Sequence, residues 1–221
     1  MRVSPLVPAV LILALSGPAA AQEWVEYTSK QDLFIVNFPG EPTVREIPYP
    51  TEFGIALPAR VYTVEDRGSR YSVTVVDYRK AETLHTERAK NCTGYPDTCT
   101  NRIANDLRGA LDYAVFQFLR RDATITYYGL GDTDRIEGRR VQLLNPDQSR
   151  TFGAIYMHEL RLYILEGTVP ANAPPPALFQ QNVGIFDEKM DRVRYRTLYR
   201  HGVTPLPERE PSPPGGRERG C

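Results

Sequence analysis

Tyr71-Ser72-Val73-Thr74-Val75-Val76-Asp77-Tyr78 decides the fold class. β-branched and aromatic residues alternate there with small polar ones, which is the pattern of a strand packed against a core. Asp66-Arg67-Gly68-Ser69 precedes it as a hairpin turn, so residues 59–65 form its antiparallel partner. Further upstream, residues 44–50 are extended, and their prolines suit a sheet edge. Leu33 to Phe38 is a short apolar strand stopped by Pro39-Gly40-Glu41-Pro42, and residues 24–27 begin another.

Downstream the period changes to helical. Residues 81–90 form a short helix. Thr100 or Asn101 caps a longer one running to about Arg121, with Ile103, Leu107, Leu111, Ala114 and Phe118 on one stripe. Period two then returns in four segments, 123–131, 139–144, 150–157 and 160–169, which form an antiparallel meander. Pro174-Pro175-Pro176 opens a late helix over about 177–188, and residues 192–199 close the domain as a strand or extended segment.

This order predicts an α+β fold: a single antiparallel sheet with helices on its faces, in one domain over 22–202. Residues 1–21 carry one Arg, a short apolar run and Pro18-Ala19-Ala20-Ala21, the pattern of a signal peptide cut before Gln22. The apolar run falls short of the roughly 20 residues that span a bilayer, so no integral span is expected after cleavage. A periplasmic or secreted location follows. Residues 203–221 are rich in Pro, Glu, Arg and Gly and read as a disordered tail.

The chain has 27 basic and 27 acidic residues, a balance that speaks against nucleic acid as a partner. Of three cysteines, Cys92 and Cys99 flank the turn-forming Gly94-Tyr95-Pro96-Asp97. In an oxidising compartment they form a disulfide, and Cys221 is left free or paired between chains.

Asp32-Leu33-Phe34-Ile35-Val36-Asn37-Phe38-Pro39, the following Gly40-Glu41-Pro42, the mid-chain helix, the meander and the late helix together resemble the PsbP/Mog-type α/β/α sandwich. In Leu57 to Tyr62, Tyr71 to Asp77 and Leu162 to Pro170 the chain is also similar to small uncharacterised exported proteins of alphaproteobacteria. The resemblance implies a binding or assembly accessory and supplies no catalytic set.

Chemistry-bearing motifs are few. There is no Gly-x-Ser-x-Gly elbow, no phosphate loop and no His-Glu-x-x-His. Asp132-Thr133-Asp134 opens like a calcium loop, but Ile136 occupies a ligand position. No metal or cofactor is expected, and His85, His158 and His201 read as surface histidines. Glu166 shares a strand face with Leu162 and Ile164, so it is a ligand-gripping or acid/base group, or else the strand end has left the core there or Arg139 or Arg150 on a neighbouring strand neutralises it. Arg192, Arg194 and Arg196 line one face of the last segment and either hold an anionic group or protect a sheet edge.

The leading expectation is an exported, non-enzymatic accessory or binding module of the cell envelope, with an envelope protein or small anionic ligand as partner. A small hydrolase or isomerase with a site near Glu166 is the second. An envelope interaction protein tethered through its C-terminal tail is the third.

Overall fold

In the computed structural model, which describes residues 24–95 and 99–211, the Tyr71 segment becomes a central strand of a seven-stranded sheet. In chain order the elements are β1 (Val25–Ser29), β2 (Phe34–Phe38), β3 (Thr43–Pro50), β4 (Ala56–Asp66) and β5 (Ser69–Asp77). Helices α1 (Ala81–Lys90) and α2 (Ile103–Leu119) follow. Then come β6 (Thr124–Thr133), β7 (Ile136–Leu144), β8 (Arg150–His158), β9 (Arg161–Val169), α3 (Ala177–Gln181) and β10 (Gly184–Ile185). The large sheet runs β3-β4-β5-β9-β8-β7-β6, all antiparallel, so the early hairpins and the late meander meet where β5 pairs with β9.

The expectation of a single sheet with helices on its faces is corrected by a second sheet of three strands, ordered β1-β2-β10. The reason lies in β2. Phe34, Val36 and Phe38 are buried on one side while Ile35 is buried on the other. A strand apolar on both faces suits an inner layer rather than an exposed edge. Phe34, Val36 and Phe38 pack with Tyr62, Tyr71 and Tyr163 of the large sheet, and Ile35 packs outward with Leu33 and Phe186. The molecule is therefore mostly β, with a small sheet on one face of the large sheet and helix on the other.

The opposite face is covered by α2. Its buried apolar residues are Ala110, Leu111, Ala114, Val115 and Phe118, close to the expected stripe. They meet Val141, Leu143, Ile155, Met157 and Leu162. The ring of Phe118 lies so close to Gly153 that a methyl group there would sit 3.0 Å from it.

The late helix is shorter than expected. α3 stops at Gln181, and Gly184–Ile185 instead pairs with Phe34 and Ile35. Residues 192–199 make only isolated bridges, Phe186 with Arg192, Ile136 with Tyr199 and Tyr195 with Arg209. Within the segment expected to be disordered, Glu208 to Glu210 runs beside Arg194 to Arg196 through Arg196 N–H to Glu208 O and Glu210 N–H to Arg194 O, 3.0 and 2.8 Å. The signal-peptide reading on residues 1–21, and that of Cys221, lie outside the described residues. Among the described residues no helix is long and apolar enough to cross a membrane.

Candidate functional site

Alternation along β7 sends Val141 and Leu143 toward α2 and leaves Arg140 and Gln142 on the small-sheet side. The register pairs Arg140 with Ala154, Gln142 with Phe152 and Leu144 with Arg150, so Arg150 shares that side. With Thr126 of β6 and Gln180 of α3, these residues line a cleft of about 550 Å³.

Both arginines are held in place. Arg150 donates to the carbonyl of Ala173, and its guanidinium lies 5.7 Å from the centre of the Phe152 ring. Arg140 lays its stem over Gly131 of β6, where a methyl group would sit 2.7 Å from Nε. The Nε atoms of both are buried without a hydrogen-bond partner. Neither guanidinium has a carboxylate within ion-pair distance among the described residues. Burial raises the pKa of the nearby Tyr156 phenol, and the positive charge of Arg140 opposes that rise. Two cations, three amides and a hydroxyl line one opening, all groups able to donate hydrogen bonds to an anion.

The arginines singled out from the sequence are engaged elsewhere. Asp134 lies 2.6 Å from Arg192 and 3.5 Å from Arg194, while Glu208 lies 3.2 Å from Arg196. Arg200 likewise reaches Glu137 at 3.0 Å. Glu166 is joined by Arg121, not by Arg139 or Arg150, through bonds of 2.7 and 2.8 Å. Arg139 instead bridges Glu137 of its own strand and Asp112 of α2. The structure thus brings Arg192 and Arg194 together on Asp134 and leaves Glu166 apart from them.

Sequence reading missed Arg140, and named Arg150 only as a neutraliser of Glu166. Alternation with Val141 and Phe152 marked their faces, but nothing local showed that, among the described residues, no carboxylate meets them.

Two of the three histidines, His85 and His158, are buried rather than at the surface. His85 and Asp106 are both 2% exposed and joined by Nε2···Oδ2 at 2.8 Å, which fastens α1 to α2. Burial, with Asp106 and Tyr113 nearby, raises the phenol pKa of Tyr49 and Tyr78. His158 is buried against Tyr195, and burial lowers the pKa of half-buried His201. A cavity of about 450 Å³ lies against His85, with Cys92 and Cys99 in its lining; residues 96–98 between them are outside the described residues. The Cys92–Cys99 disulfide itself is formed.

No family model matches the chain, and no curated protein matches it. Among solved structures it is similar to the solution structure of cyanobacterial PsbP (CyanoP) from Synechocystis sp. PCC 6803, at 14% identity and a TM-score of 0.38, over 72% of this chain and 86% of that one. That similarity is to a PsbP-type protein, and at this TM-score it carries no argument about what the chain binds.

Proposed function

We propose that the protein is an exported, non-enzymatic accessory or binding module of the cell envelope, whose cleft receives an anionic group of a ligand or partner. The observation that carries this reading is the pairing of Arg140 and Arg150 in one cleft with no carboxylate beside either among the described residues. Other partly buried arginines here have one: Arg60, Arg139 and Arg192 each meet Asp or Glu. Two uncompensated cations at one opening favour a bound anion, because a charge-assisted hydrogen bond there replaces solvent. Glu166, held by both oxygens, lends no support to an acid–base site. The leader-like residues 1–21 and the disulfide both suit an oxidising compartment outside the cytoplasm.

Calorimetric titration of the purified protein with inorganic phosphate and with glutarate tests this. Saturable binding of either is expected, weakened at least about tenfold by Arg140→Gln and by Arg150→Gln, corresponding to about 1.4 kcal/mol. Absence of saturable binding, or binding indifferent to both substitutions, would overturn the reading.

A further inference from the structure

The two edges of the large sheet are treated differently. At one end, β3 carries Pro48, Pro50, Arg45 and Glu46, with Glu46 3.6 Å from Arg60. Prolines and charges are the usual means of keeping an edge from pairing. At the other end, β6 reads Thr-Ile-Thr-Tyr-Tyr-Gly-Leu-Gly-Asp-Thr, with no proline or basic residue and one charge, Asp132. A bulge between Ile125 and Tyr127 leaves Tyr127 to Thr133 in regular register with β7, and the outer side of Tyr127 to Asp132 is the sheet's edge, whereas Thr133 is buried.

Each face of β6 has its own chemistry. Ile125, Tyr128 and Leu130 pair with Leu143, Val141 and Arg139, which places them on the α2 side, and they are 48, 51 and 67% exposed. Half-exposed Phe116 stands on α2 one turn from Asp112, the residue that reaches Arg139. On the other face Tyr127, 45% exposed, lies over Gly129, and Arg140 of β7 supplies the positive charge. Gly129 and Gly131 pair with Arg140 and Gly138, and the stem of Arg140 crosses Gly131 toward the free edge.

We propose that β6 is the docking edge for an extended segment of a partner protein whose residues alternate acidic and apolar. The added strand pairs its backbone with β6. Its apolar side chains extend the Ile125, Tyr128 and Leu130 stripe, and its acidic ones face Arg140 at the mouth of the cleft. A second copy of the chain fits less well. Its one charged β6 residue, Asp132, pairs with Glu137 on the α2 side and brings no anion to Arg140 or Arg150. This proposal rests on the anion reading of the cleft and names the partner's form.

The test is amide hydrogen exchange of the isotope-labelled protein with two synthetic peptides, Thr-Glu-Val-Glu-Val-Glu-Val-Thr and the same peptide with Lys for Glu. The Glu peptide is expected to slow exchange of β6 amides at least about tenfold, and the Lys peptide to leave them unchanged. Arg140→Gln abolishes the protection. Leu130→Lys, which places a charge on the exposed edge, abolishes it too while phosphate binding in the cleft persists. Phosphate or Glu-peptide binding without β6 protection overturns strand docking and leaves the anion reading standing. Equal protection by both peptides overturns the acidic partner, while the anion reading falls only if phosphate binding in the cleft is absent as well. Protection that grows with protein concentration in the absence of peptide makes the occupant a second copy and overturns the proposal.

Discussion

Arg121 grips Glu166 through two parallel bonds, 2.7 and 2.8 Å long, while its guanidinium lies 4.2 Å from the centre of the Phe118 ring. The pair ties the residue just past α2 to β9. Because both side chains remain partly exposed, the pair contributes modestly. Glu166→Gln is expected to lower stability by about 1 kcal/mol in urea denaturation and to leave phosphate binding unchanged. A loss of phosphate binding would return Glu166 to the functional site.

Asp32 is a stronger joint. Its carboxylate, 2% exposed, accepts from Arg60 Nε at 2.7 Å and from the hydroxyl of Tyr62, which fastens the β1–β2 turn to β4. Asp32→Ala leaves the Arg60 guanidinium, 15% exposed, without its main partner. The expected cost is about 3–5 kcal/mol, measured by chemical denaturation. Asp32→Asn costs less, since it keeps hydrogen-bonding atoms in place.

His158 makes stability depend on pH. Burial, and then the charges of Arg209, His201 and Arg161, lower its pKa to about 4, against the contribution of Asp187. In the unfolded chain it titrates near 6.5, so between about 6.5 and 4 the unfolded state binds the extra proton. The contribution of neutral His158 is therefore complete above about pH 6.5 and declines as pH falls toward 4, by up to about 1.4 kcal/mol per unit. His201, lowered by burial, acts in the same direction. Denaturation midpoints between pH 7.5 and 5 should fall more steeply for the wild type than for His158→Asn. Identical slopes would remove His158 from this account.

The disulfide closes a loop with a sequence separation of 7 between α1 and α2. Loop-closure entropy sets its worth at about 2–3 kcal/mol, so Cys92→Ser should lower the denaturation free energy by that amount. An unchanged midpoint would mean that the loop is equally restricted without the bond.

Gly131 makes room for Arg140. Gly131→Val puts a side chain 2.7 Å from the present place of Arg140 Nε, and the flexible arginine must move. Since valine suits a strand, the thermal midpoint should stay close to that of the wild type. Phosphate affinity should weaken about tenfold, as it does for Arg140→Gln.

Much of this chain is written in local pattern. Alternation at Tyr71 to Asp77, the stripe Leu111, Ala114 and Phe118, and the close spacing of Cys92 and Cys99 are short-range features, and the strand, the helix and the disulfide formed where the residues placed them. Those patterns report which residues seek a core. They are silent on which core, and on what lies across from a charge.

Long-range packing settled the rest. β2 left the large sheet because Ile35 and Phe34 each needed a buried side, and only a second layer supplies both. Arg192 and Arg194 are quenched by Asp134, about 60 positions away in sequence, and Glu166 by Arg121, 45 positions away. Arg140 and Arg150 face a cleft to which, among the described residues, no segment brings a carboxylate within ion-pair distance. By itself the sequence determined the strands, the long helix and the local disulfide, since those follow from periodicity and chain closeness. Only the tertiary structure decided which arginines remain uncompensated and which sheet edge stays open, because both depend on neighbours that folding brings from distant parts of the chain.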